Sequence, residues 1–406
     1  MNKRPFIILS AFLLLFSLIE KGQATETYRP ETSVAGFIQL PGSGRQVYNF
    51  NPGWRFFRGD VQGAEAVNFD DRSWNVVSTP HTVELMPAEG SGCRNYQGPA
   101  WYRKHFVLPA ETKGKRVVLH FEAAMGKQIL YLNGKRIQEH LGGYLPFTLD
   151  LTANGVQAGD SCLLAVFTDN SDDKSYPPGK RQYTLDFAYH GGIYRDVWMI
   201  AKSPVAITDA IDSQIVGGGG VFVHFDKISE KSAQVYVNTE VQNDDARSES
   251  VTVETTLTDA DGKVIKRSSG KLSLKPGEKK SIRQQMEVKN PTLWSPDTPY
   301  LYRVQSRIKK GNKSIDGGIT RVGIRLAEFR GKDGFWLNGK PFGQLVGANR
   351  HQDFAYVGNA LPNSQQWRDA KRLRDVGCTI IRVAHYPQDP IPSSVHLSYE
   401  LCHTFY

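Results

Sequence analysis

Phe342-Gly343-Gln344-Leu345-Val346, a short apolar run, leads into the polar cluster Asn349-Arg350-His351-Gln352-Asp353, and Thr379-Ile380-Ile381-Arg382-Val383-Ala384 leads into His385-Tyr386-Pro387. Between the two the pattern is helical. Ser364 can cap it, Trp367, Ala370 and Leu373 line one face, Arg368, Lys371 and Arg372 face water, and Gly377 stops it. Strand, helix, strand from Phe342 to Pro390 is a βαβ unit, whose right-handed crossover sets its strands parallel and neighbouring, about 4.8 Å per step. Both polar clusters then fall just past the carboxyl ends of their strands, the rim on which α/β barrels and open α/β sheets hold ligands. His351 and His385 therefore converge, flanked by Asn349, Arg350 and Arg382. The plain alternative is that each imidazole satisfies a backbone carbonyl; matching positions on two strand ends favour a shared site.

These clusters, together with the helix Gln366-Trp367-Arg368-Asp369-Ala370-Lys371, resemble the start of the catalytic barrel in β-galactosidases of glycoside hydrolase family 2. The resemblance implies a (β/α)8 barrel, of which residues 326–406 contain about two βα units, and a retaining glycosidase. That reaction needs two carboxyl groups roughly 5–5.5 Å apart, and in the family both are glutamates on later strands, beyond the end of this chain. The acidic residues here are Glu328, Asp353, Asp369, Asp375 and Asp389. Asp369 and Asp375 lie on the helix beside basic neighbours, Asp353 and Asp389 lie in loops, and none is assigned catalysis. Residues 391–406 depart from the family pattern, with Pro392-Ser393-Ser394-Val395-His396 showing no amphipathic period; a reading-frame shift near codon 390 would produce such a tail. The chain alone is therefore expected to be inactive, and its segment beyond about Gly339 poorly ordered or sticky, because two βα units leave open edges and apolar surface.

Working back toward the amino terminus, Trp336-Leu337-Asn338-Gly339-Lys340-Pro341 reads as an Asn-Gly hairpin leading into the barrel. From Val205 the chain alternates apolar and polar residues, as in Ala233–Val241 and Ser250–Leu257, with turns at Asp261-Gly262 and Lys275-Pro276-Gly277-Glu278. Residues 205–325 are expected to form an immunoglobulin-like sandwich without the Cys-Trp-Cys signature of antibody domains. Gly217–Gly220 lacks a following Gly-Lys-Ser/Thr and reads as a loop.

Residues 25–204 read as a jelly-roll sandwich after a polar leader arm (25–45). Its strands are Trp101–Val107, Arg116–Phe121, Gln128–Leu132 and Leu163–Phe167, with Asn133-Gly134 as a type I′ turn. Trp54, Phe56, Phe69, Trp74, Trp101 and Tyr102 are expected in its core rather than stacked on sugars. Asn51-Pro52-Gly53-Trp54-Arg55-Phe56, Phe69–Trp74, Thr79-Pro80-His81 and His190-Gly191-Gly192-Ile193-Tyr194-Arg195-Asp196-Val197-Trp198 again resemble family 2, in its sugar-binding domain. That resemblance gives Asp196 contact with a sugar hydroxyl across to the barrel; the residues alone allow a local ion pair with Arg195 equally well. The fold expected is mainly β: jelly-roll sandwich, immunoglobulin-like sandwich, then the first βα units of an incomplete barrel.

Within 406 residues the net charge of +9 is dispersed, with no basic block, which argues against nucleic acid. Residues 1–24 read as a signal peptide: basic Asn2-Lys3-Arg4, apolar Phe6 to Ile19, and a small-residue cleavage site at Gly22-Gln23-Ala24. The apolar run is short for a membrane span, so export to a periplasm or the medium is expected. Cys93, Cys162, Cys378 and Cys402 propose neither a disulfide framework nor a zinc site. The family resemblance implies a β-galactoside or a plant or host glycan as substrate and a Mg²⁺ or Na⁺ site to which only Asp196 could contribute; a homo-oligomer is left open. The competing reading is an exported, non-enzymatic carbohydrate-binding or scaffolding protein.

Overall fold

A computed structural model describes residues 31–32, 39–86 and 95–389. The signal-peptide reading, Cys93, Cys402 and the atypical tail lie outside these residues. The fold is mainly β, with 44% of residues in strands and 8% in helices.

The first sandwich packs two antiparallel sheets. One runs Glu31–Thr32, Gln46–Asn49, Val197–Lys202, Arg116–Phe121, Phe147–Asp150; the other runs Asn75–Val77, Trp54–Arg58, Pro99–Val107, Ser161–Asp169, Lys127–Leu132, Lys135–Leu141. Asn133 and Gly134 take positive φ angles of 50° and 81° at the hairpin tip. Trp54, Phe56 and Tyr102 fill the space between the sheets with Phe50, Phe106, Phe121 and Leu119. Trp74 and Trp101 are buried in a second cluster with Phe69 packed against it. All six predicted aromatics therefore serve packing. The polar arm is tied down more firmly than its composition suggests. Glu31–Thr32 pairs with Tyr48–Asn49, and Arg45 forks onto the fully buried carboxylate of Asp316 in the next domain, at 2.8 and 2.7 Å.

The second sandwich pairs Val205–Ile207, Ser232–Asn243, Val221–Asp226 and Lys279–Lys289 in one sheet, and Val264–Leu274, Glu249–Thr258, Tyr302–Lys310 and Lys313–Val322 in the other. Along Ser232–Asn243 alternate residues are buried, so the period-two pattern points Val235, Val237 and Val241 inward. The Lys275–Glu278 turn joins strands of different sheets.

The βαβ unit forms, with three corrections to the sequence reading. The first strand is Gly347–Arg350, not Phe342–Val346, and it pairs in parallel with Ile380–Val383. Phe342 and Leu345 instead pack against the cluster of Trp294, Leu301, Phe335 and Leu337 under the Asn338-Gly339 hairpin, so the apolar run is spent on packing before pairing begins. The strands approach so closely at Gly347 that a Cβ there would lie 1.7 Å from the carbonyl oxygen of Ile380. The helix is Asn363–Asp375, which puts Ser364 inside it; the Pro362 carbonyl accepts from Gln365 and Gln366 at 2.9 and 3.2 Å, and no side chain caps that end. Its buried residues are Gln365, Gln366 and Ala370, while Trp367 is 40% exposed. The helix is oriented by polar contacts of Gln366, described below, rather than by its one tryptophan. Gly377, at φ 88°, follows its end as expected.

Candidate functional site

The parallel pairing puts Asn349 opposite Arg382 and Arg350 opposite Val383. Just beyond, the His351 and His385 rings meet edge to face with centroids 5.5 Å apart. Phe187, from the loop before the last strand of the first sandwich, stacks on His351 (5.4 Å, 19°) and tilts against His385 (5.5 Å). Arg382 Nη1 lies 3.1 Å from His385 Nδ1 and donates to Asn349 Oδ1 at 3.4 Å. Asp186 Oδ1 approaches His385 Nε2 at 3.7 Å. Burial lowers the His351 pKa, with Asp353 opposing and the charge of His385 reinforcing the shift. A neutral imidazole, the form that burial favours for His351, both donates and accepts, the pattern that sugar hydroxyls need. Four of the six candidates, His351, His385, Asn349 and Arg382, are thus gathered at one rim.

Arg350 and Asp196 lie apart from that group, each in a hydrogen-bonded setting of its own. Arg350 turns to the helix, donating to Gln366 Oε1 at 2.7 Å and Asp369 Oδ2 at 3.0 Å, and also to Gln388. Asp196 does reach across the domain boundary. It is 7% exposed, Oδ1 accepts from Asn51 Nδ2 at 2.9 Å, and Oδ2 accepts from Asn363 Nδ2 at 3.2 Å at the start of the helix. Both oxygens therefore face amide N–H donors. Among the described residues no three His, Cys, Asp or Glu side chains converge to hold a metal ion; Asp196, the one ligand that the resemblance offered for Mg²⁺ or Na⁺, has its two oxygens on the amides of Asn51 and Asn363.

Arg195 is not the local partner of Asp196. It is buried and ties both histidine-bearing loops to the sandwich, donating to Gln352 Oε1 at 3.1 Å, the Pro387 carbonyl at 2.6 Å and the Tyr144 carbonyl at 3.3 Å. Gln352 follows His351, and Pro387 lies two residues after His385. The same Gln352 oxygen accepts from the Asp389 amide at 3.0 Å, and the Gln352 amide donates to the Tyr386 hydroxyl at 2.9 Å. Tyr386 in turn stacks on Tyr144 at 4.5 Å and 9°. Asn359 Oδ1 adds a bond from the His190 amide at 2.7 Å; Gly358 packs so tightly here that a Cβ would lie 2.5 Å from the His190 ring.

Beside Arg195 lies a group of carboxyls that sequence reasoning did not assemble. Asp389 is 1% exposed, and Glu122, whose Oε1 accepts from Trp198 Nε1 at 2.9 Å, is 3% exposed. Burial, then Asp389, pushes Asp196 up to about 6. Burial raises Asp389, against the pull of Arg195 and Arg350, and raises Glu122 well above the usual range with Asp389 and Asp196 adding to it. Glu122 Oε2 and Asp389 Oδ1 have no hydrogen-bond partner among the described residues, and each carboxyl bears on the proton affinity of the other. Sequence reading names Asp196 and Asp389 separately and misses Glu122, whose one signal is its place immediately after the apolar strand Arg116–Phe121.

Three segments of the chain match descriptions of one family: "Glycosyl hydrolases family 2, sugar binding domain" over residues 57–204, "Glycosyl hydrolases family 2" over 219–325, and "Glycosyl hydrolases family 2, TIM barrel domain" over 329–403. A β-galactosidase of Thermoanaerobacter pseudethanolicus is 34% identical over 85% of this chain, and a β-glucuronidase of Formosa agariphila is 32% identical over 86%. The solved structure of a Bacteroides uniformis β-glucuronidase superposes with a TM-score of 0.77 at 32% identity over 85% of the chain. The chain spans 44%, 37% and 40% of the lengths of these three proteins.

Proposed function

Because the chain belongs to glycosyl hydrolase family 2, we propose that it forms the sugar-binding part of a retaining glycosidase for terminal β-galactosides, and that its described residues bind the sugar without cleaving it. The observation that carries this reading is the His351–His385 pair over Phe187, built jointly by the barrel strands and a loop of the first sandwich. In it His351 and His385 contact hydroxyls, and Arg382 and Asn349 orient His385 from the side. Arg350 and Asp196 act through others, holding the helix Asn363–Asp375 against strand and sandwich. Cleavage with retention needs a nucleophile and an acid/base about 5–5.5 Å apart. Asp369 and Asp375 are engaged by Arg350 and Lys371, and Asp389 is buried. Asp186 lies 3.7 Å from His385, and Asp353 opposes the lowering of the His351 pKa. The catalytic carboxyls therefore belong to barrel elements other than those described.

A second sugar class is favoured by one feature: Arg382, exposed beside the histidine pair, would face a uronate carboxylate. Equilibrium binding of methyl β-galactoside and methyl β-glucuronide to the purified chain, with a chromogenic assay in parallel, decides among these. The expected result is galactoside binding that falls at least tenfold in His351→Ala and His385→Ala, with no hydrolysis. Tighter glucuronide binding would change the sugar, turnover would overturn the division between binding and cleavage, and binding of neither would remove the reading altogether.

A further inference from the structure

The His385 side of the rim opens into a cavity of about 630 Å³, within the range that accommodates a drug-sized ligand. Only His385, Tyr386 and Pro387 come from the barrel segment; the remaining walls are Tyr144, Leu145 and the loop through Pro177, Pro178, Lys180, Leu185, Asp186 and Phe187 of the first sandwich. Its floor is aromatic, because Tyr144, Phe187 and Tyr386 are buried. Its lip is aliphatic: Leu145 is 61% exposed, and the two prolines, Leu185 and Pro387 surround it.

The character of those walls limits what can occupy them. A second hexose would bring several hydroxyls that lose water on entry and require partners, at a cost of about 1–3 kcal/mol for each one left unmet. The walls offer few: Lys180, Asp186 and His385. The Tyr144 hydroxyl is itself sealed from solvent, so Tyr144 presents only ring surface to the cavity. Planar rings bury area against prolines, leucines and aromatic faces without such losses.

We propose that this cavity is the aglycone subsite, and that the substrates are aryl glycosides: a sugar held by the histidine pair and an aromatic aglycone lying on Tyr144 and Phe187 between Leu145, Leu185 and Pro177-Pro178. The inference rests on the sugar-binding reading above and extends it to the group on the other side of the glycosidic bond. The first sandwich is then the part of the chain that selects the aglycone.

The test is calorimetric binding of methyl and 2-naphthyl 1-thio-β-D-galactosides, and of the matching thioglucuronides, to the full chain; sulfur linkage guards against turnover. The naphthyl glycoside of the preferred sugar is expected to bind at least tenfold more tightly than the methyl one. Leu145→Asp, on an exposed position that does not threaten folding, is expected to reduce that ratio to about twofold. Equal affinities for naphthyl and methyl glycosides overturn the subsite while leaving the sugar site standing. A tenfold ratio that survives both Leu145→Asp and Leu185→Asp overturns its location. Absence of binding by any of the four glycosides overturns the sugar site and this inference with it.

Discussion

The first sandwich and the βαβ unit are both built from β-strands, yet they are held by different forces. Between the sheets of the sandwich lie Phe50, Trp54, Tyr102, Phe106 and Phe121, all sealed from water. On the strand Gly347–Arg350 no residue is buried, and on Ile380–Val383 only Ile381 is. Besides Ala360 and the Tyr386–Tyr144 stack, what fastens the unit is polar: the Arg195 fork, the Gln352 and Asn359 amides, and Arg350 on Gln366 and Asp369. Apolar burial is strong but non-directional, so it sets the fold without fixing any one side chain. Hydrogen bonds to buried charges are directional, and each lost partner is felt. The His351–His385 geometry hangs from the second kind.

The contrast can be attacked first at the sandwich core. Trp54→Ala should cost about 3–5 kcal/mol in global stability, seen as a lower denaturant midpoint; a loss under 1 kcal/mol would mean that this core is not what holds the domain. Next, the two regions should open separately. A gap of about 3 kcal/mol in opening free energy corresponds to roughly a hundredfold in rate, so native-state proteolysis should cut within residues 340–389 well before either sandwich, and a βαβ unit as resistant as the strand Pro99–Val107 would erase the distinction. Arg195→Met should then weaken docking of the unit by roughly 2–3 kcal/mol. Amide exchange at Gly347–Arg350 and Ile380–Val383 would quicken while Pro99–Val107 stays unchanged; uniform acceleration would show Arg195 to be ordinary core.

A titration sharpens the comparison further, because the sandwich carboxyl at the junction with the βαβ unit, Asp196, and one away from that junction, Asp71, are shifted in opposite directions. Asp196, raised to about 6, binds its proton more tightly folded than unfolded, so its contribution is whole below about pH 4 and is lost as pH rises through 6. Asp71 in the sandwich is lowered: burial would raise it, but His105 and Arg103 at 2.9 and 2.8 Å prevail. Its contribution is present above about pH 4 and disappears as pH falls further. Protection of the βαβ amides should therefore be greater at pH 4.5 than at pH 7, by about 1–2 kcal/mol, and Asp196→Asn should flatten that slope. Equal protection at both pH values in the wild-type chain would contradict it. The smallest effect should come from Asp375→Asn, which removes the half-exposed Lys371–Asp375 pair at a cost under about 0.5 kcal/mol; a larger loss on thermal unfolding would show that the helix depends on its surface charges.

Much of this was legible from pattern alone. Period-two alternation marked the strands of both sandwiches, and Asn-Gly pairs marked two hairpins, because pleat and turn chemistry are local. The convergence of His351 and His385 followed from placing them after parallel strands. The first barrel strand was misplaced by five residues because an apolar run looks the same whether it pairs or packs, and Phe342 and Leu345 pack. Trp367 was assigned inward because helix periodicity records composition, not which neighbour arrives; Gln366 faces inward because Arg350 meets it there.

Sequence by itself determined the order of the domains, their β character and the family, since these rest on local periodicity and on residue identity at fixed spacing. Tertiary structure alone decided that Arg195 and Asp196, neighbours in the chain, serve separate networks, that the buried carboxyl of Asp389 bears on that of Glu122, 267 residues away along the chain, and that a loop of the first sandwich walls the site. Those facts depend on distances through space between residues far apart along the chain, and such distances are set only when the cores have packed.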